Sequence, residues 1–235
     1  MKVYHLHSWD VTITQAEEIQ RRLAAQVLRK CEVGEPRLVA GVDISRQGAG
    51  GMARGAVVVL RYPELTIVES RVVEGRLGLP YIPGLLSFRE SPLILTACER
   101  LEAIPDLILV DGQGIAHPRR MGLASHLGLL LDTPTIGCAK SLLCGRHGDV
   151  GEEPGSYVEL VDRGEVIGAA LRTKSGLKPI YVSIGHKVDL PMALKWVMAC
   201  CRGYRIPEPT RLAHLAVAGQ LPAFERGAGR GRLFA

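Results

Sequence analysis

Aromatic residues are scarce, only 5% of this 235-residue chain. Long apolar runs are missing as well. A membrane-spanning helix needs roughly 18 residues, and the longest uncharged stretch, Leu77–Phe88, is interrupted by Pro80 and Pro83. No membrane partner is therefore expected. The opening segment Met1–Asp10 lacks the apolar core of a signal peptide, so a cytoplasmic location is expected. Six cysteines, none in a C-x-x-C pair, do not make a disulfide framework in a chain of this length. They read as reduced, mostly buried thiols. Cys138, Cys144 and His147 match no usual zinc spacing. Neither sign of charge dominates: 29 basic against 24 acidic residues leave +5, which permits a polyanionic partner without demanding one. An apolar content of 47% excludes a disordered chain.

The length suits one domain with a real core, and no internal repeat or long linker divides it. A single domain over residues 1–235 is expected, with a core at about 10–219 and a loose basic tail at about 222–235. Residues 13–31 read as an amphipathic helix, with Thr14 and Glu17 as a capping box and Ala16, Ile19, Leu23 and Val27 as its apolar stripe. Strand-like runs follow at Leu38–Ile44, Ala56–Arg61 and Thr66–Val73, separated by turn signals at Arg46–Gly51 and Tyr62-Pro63. From residue 92 the order becomes helix (92–103), strand (106–110), helix (122–131), strand (135–138), which favours parallel pairing with covered faces. Asp162-Arg163-Gly164 marks a hairpin, 179–185 one more strand, and 189–201 and 209–219 two closing helices. The pattern describes an α/β chain with a ribonuclease H-like mixed β-sheet and helices on both faces.

Chemistry concentrates at strand ends. Asp43 closes Leu-Val-Ala-Gly-Val-Asp, and Asp111 closes Leu-Ile-Leu-Val-Asp-Gly-Gln-Gly. Each could simply start a turn, as Asp often does. Adjacent strands would instead bring the two to one rim, where a divalent cation relieves their repulsion, and hard oxygen ligands suit magnesium. Glu90 has two readings. Ser87-x-x-Glu90 fits a capping box, whereas Ser91-Pro92 is a competing helix start that leaves Glu90 free to ligate metal. Tyr81, between Pro80 and Pro83, is either a packed loop residue or a wedge that enters a base stack. His117-Pro118-Arg119-Arg120 is a short basic loop, Lys140 ends a strand, and Arg211 and His214 share a helix face.

The segments Val39–Asp43, Pro80–Glu90 (Pro-Tyr-Ile-Pro-Gly-Leu-Leu-Ser-Phe-Arg-Glu) and Asp111–Arg120 (Asp-Gly-Gln-Gly-Ile-Ala-His-Pro-Arg-Arg) resemble the defining motifs of the endonuclease V family, the deoxyinosine 3′ endonucleases. The similarity continues through Gly122–Gly128, Gly137–Ser141, Ile184–Lys187 and Pro207–His214, and covers about residues 10–219. It implies the ribonuclease H-like fold and a magnesium cofactor for which manganese substitutes. The implied activity is a nick at the second phosphodiester 3′ to a deaminated adenine, leaving 3′-hydroxyl and 5′-phosphate. The resemblance implies Asp43, Glu90 and Asp111 as metal ligands, His214 as an auxiliary catalytic residue and Lys140 beside the scissile phosphate. It gives Tyr81 as the wedge, with Pro80, Ile82 and Pro83 beside it as nucleic-acid-binding residues, and Gly84, Gly112 and His117 as the border of the base pocket. Glycines let backbone approach a base closely, so a backbone amide is expected to read the hypoxanthine carbonyl. Two positions depart from the pattern, Met121 and Leu85, where other bulky apolar or aromatic residues are common; both bear on substrate preference.

The expected partner is deoxyinosine-containing DNA and the expected state a monomer. The alternative substrate is inosine in single-stranded RNA. A nucleic-acid-binding module without catalysis would sit badly with the intact acidic set. A junction resolvase of the same fold would not need the Tyr81 loop.

Overall fold

The computed structural model describes residues 1–45 and 51–224. Most of the expected turn at 46–51 and most of the expected loose tail lie outside the described residues. Eight strands form one mixed sheet: β1 Leu38–Ile44, β2 Met52–Arg61, β3 Thr66–Arg76, β4 Leu107–Val110, β5 Thr135–Ala139, β6 Tyr157–Asp162, β7 Glu165–Leu171 and β8 Ile180–His186. The order across the sheet is β3-β2-β1-β4-β5-β8-β7-β6. β1, β4 and β5 are mutually parallel, and the other ladders are antiparallel. Parallel pairing is thus confined to the centre, whose two faces are both covered by helices. The β6–β7 hairpin turns through Arg163 (φ 54°) and Gly164 (φ 79°), the paired positive φ values of a tight two-residue turn.

Alternation along the central strands divides the core in two. Val39, Val58, Leu60, Leu107, Leu109 and Ile136 pack on one face with helices α4 (Leu190–Ala199) and α5 (Glu208–Val217). Ala40, Val42, Val57, Val59, Ile108 and Val110 pack on the other, with α2 (Leu86–Glu99) and α3 (Leu123–Leu131).

Two helix boundaries depart from the sequence expectation. α1 spans Ile13–Ala24, and its capping box is Thr12 with Gln15, not Thr14 with Glu17. It stops short of residue 31 because the following segment is captured by the end of β8. The Leu28 N–H donates to His186 Nδ1 at 3.2 Å, and the Lys187 N–H donates to the Leu28 carbonyl at 2.8 Å. α2 begins at Leu86, six residues before the Ser91-Pro92 start, and carries Pro92 inside it. Neither cap reading holds, since the Ser87 and Ser91 hydroxyls both lack a hydrogen-bond partner. Packing decides the start instead: Leu85 and Phe88 bury against Ala16 of α1. Glu90 therefore lies within α2 rather than just outside it.

Gly41 sets how closely α5 lies on β1. A Cβ at Gly41 would overlap the backbone carbonyl of Pro209, at the start of α5. The obstacle is backbone, so side-chain rotation cannot relieve it. Gly41→Ala is expected to lower the unfolding free energy by about 2 kcal/mol or more, within the usual overpacking range and larger than the ~0.4–1 kcal/mol gained by stiffening the unfolded chain. Urea unfolding checks this; a variant as stable as the parent would mean that α5 is free to shift.

Candidate active site

β1 and β4 run side by side with Val42 opposite Val110, so the residues that follow, Asp43 and Asp111, emerge together at the carboxyl ends of parallel strands. This rim is where open α/β sheets bind ligands. A cleft of about 420 Å³ opens there, and Asp43, Asp111, Glu90, Lys140, Tyr81 and Gly84 are among its lining residues. Glu90 reaches it from α2 on one face of the sheet. From the other face, His214 of α5 places Nδ1 2.8 Å from Asp43 Oδ2. Lys140, just past β5, pairs with Asp111. The Arg205 guanidinium braces the Lys140 backbone, donating to its carbonyl at 2.7 Å and to that of Pro179 at 2.9 Å.

The acids are electrostatically strained. Burial, then the neighbouring Asp43 and Asp111 charges, push the Glu90 carboxyl up to about 8, with Arg89 opposing. Burial and Asp111 raise Asp43, while its bond to His214 lowers it. Among the described residues no three His, Cys, Asp or Glu side chains stand ready-gathered as a metal cluster. Asp111 is engaged by Lys140 and Asp43 by His214 instead. The donor chemistry nevertheless fits a hard divalent cation: three carboxylates share one cleft, and two of them resist ionisation there.

The wedge segment divides by exposure. Tyr81 is 67% exposed at the cleft lip. Pro80 and Pro83 are also exposed, and Ile82 is half-buried against the Leu85–Phe88 cluster. Gly84 has φ 83°, the left-handed region, so glycine is needed there for the backbone itself.

Of the backbone amides expected to border the base, that of Gly112 is already engaged. The Gly112 N–H donates to the Val110 carbonyl at 2.8 Å, and a Cβ at Gly112 would face the Leu123 side chain. The Gly84 carbonyl already accepts three side-chain donors, from Gln20, His117 and Arg119. His117 is buried, and burial together with Arg119 lowers its pKa to about 4. Its Nε2 donates to Gly84, and its Nδ1 accepts from the Arg119 N–H at 3.1 Å, which only the neutral ring can do.

The basic loop is not a free phosphate-binding patch. Arg119 is paired with Glu17, and Arg120 with Asp162 and Glu165. Arg211 is likewise held by Glu208 and by the Tyr204 ring. Met121 lines the cleft, whereas Leu85 is buried beneath it.

Sequence reasoning missed Gln113, Arg205 and Gln20. Gln113 lines the cleft, with Nε2 donating to the Ser141 carbonyl at 2.9 Å and Oε1 left without a partner. It stands in a stretch already marked by Asp111. Gln20 was signalled by a polar residue at the i+4 position of an apolar stripe.

The model of the Endonuclease V family matches residues 21–215. The chain belongs to the endonuclease V family. An endonuclease V of Dehalococcoides mccartyi is 52% identical over 218 residues, covering 93% of this chain and 98% of the relative. Among solved structures, an endonuclease V of Streptomyces avermitilis has 40% identity and a TM-score of 0.86, covering 94% of this chain and 98% of its own. The Ciona intestinalis endonuclease V, 30% identical with a TM-score of 0.78, covers 89% of this chain and 97% of its own. It was solved with a 24mer DNA containing an inosine followed by a ribo-adenosine. The ribonuclease H-like fold expected from the strand order is thus the fold of the endonuclease V family.

The raised Glu90 pKa has a stability consequence. Below about 4.5 Glu90 is protonated in folded and unfolded chains alike. Between 4.5 and about 8 the unfolded chain releases a proton that the fold retains, so stability falls as pH rises. With chelator present, Glu90→Gln is expected to be more stable than wild type at pH 9 and to lose that advantage on acidification to pH 4.5. Urea unfolding at the two pH values tests this; an advantage that does not change with pH would refute the burial assigned to Glu90.

Proposed function

We propose that this endonuclease V recognises deoxyinosine in DNA and cleaves the second phosphodiester 3′ to it, leaving 3′-hydroxyl and 5′-phosphate, as a single-domain monomer in the cytoplasm. The observation that carries this reading is the joint presence, in a chain of this family, of three carboxylates in one cleft with an exposed tyrosine at its lip. Asp43, Glu90 and Asp111 would hold magnesium, with manganese as a substitute. The bound ion supplies an acidified water and charge neutralisation at the phosphate.

The remaining roles fall to side chains. His214 is oriented through Nδ1 by Asp43, which leaves Nε2 to take a proton from water or give one to the leaving oxygen. The Lys140 ammonium, beside Asp111 and braced by Arg205, meets the non-bridging phosphate oxygens. Tyr81 fills the gap left by an extruded base. Hypoxanthine offers a carbonyl acceptor where adenine has an amino donor, and it lacks the guanine amino group. A narrow pocket with donors aimed at that carbonyl rejects both.

Incubating a labelled inosine duplex with magnesium and mapping the cut tests the reading. The cut is expected one nucleotide beyond the inosine, with guanine and adenine controls intact. Comparable cutting at guanine would mean a general nuclease. Asp43→Asn, Asp111→Asn and Glu90→Gln should each lower the rate by at least about a hundredfold, the scale of one lost transition-state contact. Wild-type cleavage by Asp111→Asn would sink the ligand assignment. The ribo-adenosine beside inosine in the Ciona complex makes a matched RNA oligonucleotide the second substrate to compare.

Tyr81→Ala should weaken action on duplex about tenfold to a hundredfold, from roughly 1–3 kcal/mol of stacking, and weaken action on single strands less. Equal losses on both substrates would remove the wedge.

A further inference from the structure

Gln20 is a polar side chain in an apolar place. It lies on the buried side of α1 with Ala16 and Leu23 and is 1% exposed. α1 lines no part of the cleft, yet the Gln20 amide reaches both of its walls. Nε2 donates to the Gly84 carbonyl at 2.9 Å and to the Met121 carbonyl at 3.1 Å. Oε1 accepts from Arg119 Nε at 2.6 Å. Gly84 ends the loop that carries Tyr81, and Met121 ends the loop that follows Asp111; both line the cleft.

Chemistry leaves one orientation. A flipped amide would set its oxygen against two carbonyl oxygens and its NH2 against a guanidinium. Only a glutamine of this reach serves: glutamate has no N–H to give, lysine has no acceptor, and asparagine is one methylene short. The two other side chains on the Gly84 carbonyl, His117 and Arg119, come from the Met121 loop itself, so they tie one loop to the other. Gln20 alone among these side chains brings an outside element, helix α1, to both carbonyls.

We propose that Gln20 is a positioning residue of the cleft: from α1 it fixes the separation of the Gly84 and Met121 walls, and so the width of the pocket that admits the base. The role in base selection rests on the inosine reading. Without the clamp the walls part, and a purine one amino group larger than hypoxanthine gains entry. Loss of the clamp should therefore appear as weaker binding and poorer discrimination before it appears as slower chemistry.

Two substitutions test this. Gln20→Glu keeps the size and the Arg119 partner but loses both donors and faces two carbonyl oxygens with a carboxylate. Gln20→Met keeps the bulk and loses all three bonds; Gln20→Glu covers the case in which it does not fold. Both are expected to raise KM for a single-stranded inosine oligonucleotide about tenfold, the scale of one or two lost hydrogen bonds, with a smaller fall in kcat. The inosine-to-guanine ratio of kcat/KM should narrow by about the same factor. In the free protein, amide hydrogen exchange should quicken at residues 80–85 and 113–122 while β1 and β4 keep their protection. An unchanged selectivity ratio, or faster exchange spread evenly over the molecule, would reduce Gln20 to ordinary packing. Should wild type not cut inosine at all, the functional reading fails, and the exchange pattern alone decides the positioning role.

Discussion

The parallel ladder of β1 and β4 ends with Val42 beside Val110, and the next residue on each strand is an aspartate. Two like charges are thereby brought together by backbone hydrogen bonding, not by any attraction of their own. The fold must bear that repulsion, and the neighbouring elements answer it piecemeal. Lys140 leaves the adjacent parallel strand and meets Asp111. His214 arrives on α5 and meets Asp43. Glu90 adds a third carboxylate from the opposite face, where burial and then the neighbouring acids raise its pKa. Such a set is poor for stability and well suited to a cation, the trade-off common at functional sites.

Much of this was legible because it is local. Alternating valines and leucines declared the strands, and a carboxylate directly after an apolar strand can only emerge at the rim. The Arg163-Gly164 turn was legible for the same reason, since its φ values are a property of two residues. Three things were not local. The end of α1 is decided by β8, 158 residues away in sequence. The start of α2 is decided by burial of Leu85 and Phe88 against α1, which overrode both capping signals. Arg119 and Arg120 read only as a short basic loop, and the acids on α1 and on the β6–β7 hairpin that engage them are distant in sequence.

Glycine carried two meanings that sequence alone does not separate. Gly41 is small so that a helix can approach a strand, and Gly84 is glycine so that the chain can turn through positive φ. Gly112 belongs to neither group: a Cβ there would meet the Leu123 side chain at 3.3 Å, and its amide is bonded within its own turn. That the Gly112 amide is spoken for by the Val110 carbonyl could not be read from the glycine itself.

The three donors on the Gly84 carbonyl also bear on the entropy of binding. A loop that must order itself on a ligand loses roughly 1–2 kcal/mol of backbone freedom per residue. Here the root of the Pro80–Gly84 loop is already held by three hydrogen bonds, its two prolines restrict φ, and the Tyr81 ring projects into solvent. In the proposed wedge role, inserting that ring into a base stack would cost the freedom of two side-chain torsions, not that of five residues, and nearly the whole stacking energy would be left to hold the duplex apart.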